Sequence, residues 1–183
     1  MTYNKKPPVN SSEFMTIIGR AGAGVPIKKI EAIFEFSPDT NAEYIFNKAL
    51  NEGKLIKTLV DTDKIRSLVI LDDGQVHPST FHFVTLKNRV VPYIPLLTTI
   101  GYDNGGINGN KINIMVDYRY EKAGAILDEF AKTKDVIPLY EDATKTKTLL
   151  MMDGGRVYPS TFNYPTLDKR YRELLEEQKD ANN

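Results

Sequence analysis

A chain of 183 residues with 41% hydrophobic and 26% charged content has the make-up of a folded protein that buries a core, not of a disordered one. Lysine plus arginine and aspartate plus glutamate each number 24, so the chain lacks the basic excess with which a dedicated nucleic-acid binder neutralises phosphate. The absence of cysteine excludes disulfides, zinc-thiolate sites and thiol nucleophiles together.

In chain order, MTYNKKPPVNSSEF has no apolar stretch after its lysines, which argues against a signal peptide. No apolar run reaches the roughly 18–20 residues of a membrane span. GRAGAG (19–24) then leads into IEAIFEF (30–36), whose alternation of apolar and polar side chains predicts a half-buried strand. After Ser37-Pro38, with Thr40 or Asn41 as candidate cap, Ala42, Ile45, Phe46 and Ala49 share one helical face and Gly53 stops the helix. LIKTLV (55–60) reads as a strand. SLVIL (67–71) and VHPSTF (76–81) read as a hairpin around the turn DDGQ, where Asp-Gly tolerates positive φ. The proline suits a strand edge or end, because it cannot donate to the ladder. TLKNR (85–89) begins a short helix behind a threonine cap.

The same order then returns. VVPYIPLLTTIGYDNGGINGNK, rich in proline and then in glycine and asparagine, predicts a turn and an exposed loop. INIMVDY (112–118) alternates like IEAIFEF, 82 positions earlier. EKAGAILDEFAKTK places Ala123, Ile126, Leu127 and Phe130 on one helical face, and VIPLY (136–140) reads as a strand. TLLMM and VYPSTF flank the turn DGGR, and TLDKRYRELLEEQKD opens a longer helix with an apolar stripe of Leu167, Tyr171, Leu174 and Leu175. VHPSTFHFVTLKNR (76–89) and VYPSTFNYPTLDKR (157–170) share eight of fourteen residues at a constant offset of 81. Self-similarity of this length speaks of architecture first. The expected fold is α+β: two repeated β-α-β-β-β-α units, each a small sheet with a packed helix. The expected boundaries are an N-terminal extension (1–26), a first repeat (27–90), a connector (91–111) and a second repeat with the long helix (112–183).

The first repeat resembles the RemA-like family of small bacterial regulators of extracellular-matrix genes, from about Ile27 to Arg89; the second resembles it less closely. The resemblance rests on Ser37-Pro38, the helix exit Gly53, Leu55 and Ile56, the basic Arg66, the turn at Asp72-Asp73, and Val76, Ser79, Thr85, Leu86 and Arg89. It implies closed rings, and duplex DNA bound through a basic stretch before the hairpin. Carried onto this chain, that stretch is Asp63-Lys64-Ile65-Arg66 and Thr144-Lys145-Thr146-Lys147. Lys64, Arg66, Lys145 and Lys147 keep positive charge, whereas Asp63 and Thr144 do not, and Asp61 and Asp142 add acid nearby. Lysine also lacks the bidentate phosphate fork of arginine.

No catalytic pattern emerges from the residues themselves. GRAGAG lacks the closing Gly-Lys-Ser/Thr of a phosphate loop and the spacing of a dinucleotide fingerprint. His77 and His82 are the only histidines, and Tyr158 and Asn163 stand at their places in the second repeat. Five positions apart on a strand, they would face opposite sides and hold no metal between them. Ser79-Thr80 and Ser160-Thr161 have no activating base nominated beside them. Their repetition predicts a structural role, with hydroxyls on backbone and Phe81 or Phe162 anchoring the core. Asp72, Asp73 and Asp153 sit in hairpin turns, where aspartate bonds its own backbone.

The expectation is a non-enzymatic protein without cofactor or metal. It would be a ring-forming homo-oligomer with neighbouring assembly proteins as partners, cytoplasmic or built into a phage particle as a collar or connector. Tyr171, Leu174 and Leu175 are its candidate oligomer interface. A DNA-binding regulator using Lys64, Arg66, Lys145 and Lys147 is the alternative, and a small-ligand or nucleotide binder the third reading.

Overall fold

The structure is a computed structural model that describes residues 14–19, 23–38, 40–56, 61–100, 104–119, 122–133, 136–138 and 142–181. Among these it has an α+β fold, with ten strands in three antiparallel sheets and four α-helices. Strands β1 (Phe14–Thr16) and β2 (Gly24–Pro26) form a two-stranded sheet of their own. Then come β3 (Ile30–Glu35), α1 (Ala42–Asn51), β4 (Ser67–Leu71), β5 (Val76–Ser79) and α2 (Phe83–Val90). They are followed by β6 (Leu96–Ile100), β7 (Gly105–Asn108), β8 (Ile112–Asp117), α3 (Ala123–Thr133), β9 (Thr148–Met152), β10 (Val157–Ser160) and α4 (Tyr164–Ala181). The second sheet has the order β5-β4-β3-β7-β6 and the third β10-β9-β8. No helix among the described residues is long and apolar enough to cross a membrane.

Both hairpins predicted around Asp-Gly turns form. DDGQ and DGGR each place their last glycine, Gly74 and Gly155, at φ +84°. Helix α1 ends as its sequence predicts. Gly53 takes φ +68°, and Lys54 and Gly53 donate to the carbonyls of Ala49 and Leu50, satisfying two carbonyls the helix would otherwise leave free.

Other expectations are corrected. LIKTLV and VIPLY form no extended strand among the described residues: Leu55 and Val136 make single parallel bridges to Val76 and Val157. The rest of LIKTLV (57–60) and the end of VIPLY (139–140) lie outside the described residues, as does most of MTYNKKPPVNSSEF. Helices α2 and α4 start two residues before the threonines that were their predicted caps. The Glu35 carboxylate, reaching over from β3, accepts the Phe83 amide at 2.6 Å, and the Asn163 side chain accepts the Thr166 amide at 3.1 Å. GRAGAG is not a lead into one strand. Its outer residues flank the turn between β1 and β2, with the Ile17 amide donating to the Ala23 carbonyl, while residues 20–22 lie outside the described set.

The largest correction concerns 91–111. Instead of an exposed loop it holds β6 and β7, and β7 pairs antiparallel with β3 (Ala32 opposite Ile107, Ile33 opposite Gly106, Phe34 opposite Gly105). Ile94, Leu96, Leu97, Ile100 and Ile107 are buried. The glycines that suggested a loop are there because the backbone passes close to a ring: a Cβ on Gly105 would lie 2.3 Å from Cδ1 of Phe34.

β3 is therefore a central strand, buried on both faces from Ile30 to Phe34 instead of half-buried as its alternation predicts. One face carries Ile30 and Ile33 under α2 (Phe83, Leu86, Val90) and the β1–β2 hairpin (Met15, Val25). The other carries Ala32 and Phe34, packed with α1 and with Leu150, Met152, Tyr158 and Leu167 of the third sheet and α4. The two halves of the chain thus share a core. Burial of that apolar surface, at about 25 cal/mol per Å², is the main force joining them.

Candidate functional site

At the joint between the halves, β3 carries Glu31 and Glu35 among apolar residues, and burial of both its faces takes Glu31 inside, only 1% exposed. Burying a carboxylate without partners costs several kcal/mol, and partners are supplied from the far half. Arg156, at the end of the β9–β10 turn, donates from Nε to Oε1 at 2.6 Å and from Nη2 to Oε2 at 2.7 Å. The Tyr158 hydroxyl donates to Oε1 at 2.7 Å. The planar guanidinium matches the carboxylate fork. Its hydrogen bonds to Glu31 raise the Arg156 pKa further, and burial followed by the Glu31 charge pushes the Tyr158 phenol well above its ordinary 10.0. Around this cluster, Lys111 Nζ meets Asp72 Oδ2 at 2.8 Å and Asn108 Nδ2 donates to the Ile30 carbonyl. The chemistry is that of a clamp: both carboxylate oxygens of Glu31 are held by side chains of the far half, and Arg156 Nη2 also donates to the Asp72 carbonyl.

The doubled segment is explained by its contacts. Ser79 Oγ donates to the Ile17 carbonyl at 2.6 Å and accepts from the Phe81 amide; Ser160 Oγ donates to the Thr99 carbonyl at 2.7 Å and accepts from the Phe162 amide. Each serine thereby ties the preceding hairpin, β1–β2 or β6–β7, to its own sheet. Phe81 and Phe162 lie beneath the guanidinium groups of Arg89 and Arg170, at 4.1 and 4.2 Å from the ring centroids. Leu86 and Leu167 are fully buried.

The four basic candidates are exposed, each at or just past a short 3-10 turn ahead of the hairpin: Lys64 and Arg66 after Asp61, Lys145 and Lys147 after Asp142. Arg66 turns Nη1 back onto the carbonyls of Asp63 and Ile65. Of the α4 stripe, Leu167 is in the shared core, and Tyr171 and Leu174 are partly buried against it. Tyr171 donates its hydroxyl to the Gly109 carbonyl at 3.2 Å, and Leu175 is half-buried. The packing of this stripe is thus largely intramolecular. His77 lies on β5, half-buried, and burial lowers its pKa against the opposing pull of Asp73. His82 stands outside the strand, exposed, with Nδ1 at 2.5 Å from Glu35 Oε1.

What sequence reasoning missed are the sheet edges at β8 and β2. Among the described residues β8 pairs only with β9 and β2 only with β1; β8 carries the exposed Ile114 (49%), and β1, the partner strand of β2, carries the exposed Phe14 (65%). Moving these positions by 82 gives Ala32 and Leu96, which the joint buries to 0% and 2%. No protein-family model matches the chain, and no curated protein matches it.

Proposed function

We propose that the protein is a non-enzymatic building block that assembles with copies of itself into a closed ring serving as a part of a larger particle. The chain is, on this reading, a tandem pair of one RemA-like unit, with β1–β2 belonging to the first copy and β6–β7 to the second. The observation that carries it is the joint itself, where β7 of the second half pairs with β3 of the first. Donor and acceptor surfaces are different, so the contact is heterologous, and each surface has a counterpart left open at the ends of the pair. Head-to-tail contacts of this kind generate rings when the rotation closes and filaments when it does not. The hydroxyls of Ser79 and Ser160 are committed to backbone, which favours scaffolding over nucleophilic chemistry.

The test is the mass of the purified protein in solution, with and without duplex DNA at low salt. A defined multiple of 20.7 kDa that ignores DNA supports the assembly reading. A complex with DNA that dissolves as salt rises transfers the case to a regulator, with Lys64, Arg66, Lys145 and Lys147 the first residues to change. A single chain at every concentration overturns the assembly reading.

A further inference from the structure

The joint inside the chain is a template for a joint between chains. In it the β3 edge receives β7 with a defined register, Ala32 opposite Ile107, Ile33 opposite Gly106 and Phe34 opposite Gly105. The Glu35 amide continues the ladder by donating to the Asn104 carbonyl. Moved forward by 82 positions, the β3 residues become Ile114, Met115 and Val116 of β8; moved back by 82, the β7 residues become Val25, Gly24 and Ala23 around β2. We infer that a second copy of this chain docks its β1–β2 hairpin on the open edge of β8, antiparallel, with Val25, Gly24 and Ala23 opposite Ile114, Met115 and Val116. The inference rests on the assembly reading above and names the surfaces it would use.

The backbone of β8 is set for such a partner. The Tyr118 amide donates to the Lys147 carbonyl on the β9 side. By alternation the amides of Val116 and Ile114 turn the same way, and those of Met115 and Asp117 face the vacant side. An unpaired edge of this sort invites a strand from another chain. Gly24, like Gly106, brings no side chain to the crossing.

A separate observation points to the same partner. At the inner joint Tyr158 sends its hydroxyl across to Glu31. The residue at its place in the first half is His77, whose Nε2 is buried with no hydrogen-bond partner among the described residues. The residue at the place of Glu31 is Asn113, exposed on β8. Docking in the same geometry sets His77 of one copy against Asn113 of the next, with Gln75 at the place of Arg156. The outer joint is thus uncharged where the inner one is ionic. Buried unpaired polar atoms are uncommon enough in folded proteins to ask for a partner.

The experiment uses the full chain and the fact that it has no cysteine. Val116 and Ala23 fall at a pair that exchanges no backbone hydrogen bonds, where Cα atoms of paired strands lie about 4.5 Å apart, within disulfide range. Mild oxidation of the double variant Ala23→Cys, Val116→Cys should yield covalent multimers on a non-reducing gel, and either single variant none. In parallel, Ile114→Lys and Phe14→Lys, both at exposed positions, should reduce the solution mass to that of one chain that keeps its folded circular-dichroism spectrum and a cooperative unfolding transition. A wild-type oligomer whose mass survives both lysines, with no cross-linked multimers, overturns the edge pairing and leaves the assembly reading standing. A wild-type protein that stays a single chain overturns both.

Discussion

Arg156 and Glu31 stand 125 positions apart in the chain and 2.6 Å apart in the fold. Because Glu31 is buried, losing its partner leaves an uncompensated charge in the core. Arg156→Ala should cost about 3–5 kcal/mol in denaturant unfolding. Replacing both residues, Glu31→Met with Arg156→Met, should cost much less than the sum of the two single changes, because neither charge then remains unpaired. Additive costs in the double-mutant cycle would mean that the two side chains do not act as a pair.

Ser79→Ala and Ser160→Ala each remove one hydroxyl that ties a hairpin to its sheet. Each should cost about 1–3 kcal/mol, the penalty for leaving a buried acceptor unpaired. Hydrogen exchange locates the effect: Ser79→Ala should speed exchange in β1 and β2, and Ser160→Ala in β6 and β7. Uniform acceleration over the whole chain in both variants would show that the serines hold no particular hairpin.

Gly105→Ala should destabilise by about 1–3 kcal/mol, the usual cost of overpacking, since its new Cβ would lie 2.3 Å from the Phe34 ring. Adding Phe34→Leu should recover part of that loss. If Gly105→Ala is neutral on the wild-type background, β7 does not cross β3 this closely.

His77 and Tyr158 tie stability to pH from opposite sides. The folded pKa of His77 is lowered, chiefly by burial, so the unfolded chain takes up a proton near 6.5 while the folded one resists. The stability linked to His77 is full above pH 6.5 and is lost as pH falls below it. Tyr158 is raised, by burial first. Its contribution is full below pH 10 and is lost above it, where the unfolded phenol ionises and the folded one does not. Urea midpoints across the range should show His77→Phe flattening the acid limb and Tyr158→Phe the alkaline one. A wild-type slope on either limb would remove the corresponding group from this account.

The local elements were legible because their signals are local. The apolar face of Ala42, Ile45 and Ala49, the stop at Gly53 and the Asp-Gly turns depend on neighbours within a few residues, and all form. The joint was not legible, because Glu31 on β3 looks like a solvent-facing position until the far half of the chain covers it. The glycines of β7 likewise read as loop until Phe34 lies against them. A faint signal was present: TIIGRAGAGV (16–25) and TTIGYDNGGI (98–107) share Thr, Ile and two Gly at the 82-residue offset. Followed through, it would have marked both hairpins and moved the similarity upstream of residue 27.

Only residues 91–95 separate α2 from β6. So short a tether keeps the β6–β7 hairpin beside β3 at an effective concentration on the order of millimolar. Dilution therefore cannot undo the inner joint, whereas contacts between chains obey mass action. On the assembly reading proposed above, the smallest particle obtained by dilution is one chain carrying both units, and any closed assembly contains an even number of units. On that reading the chain has two kinds of joint, and the ionic clamp of Glu31 and Arg156 sits on the one that never has to find its partner.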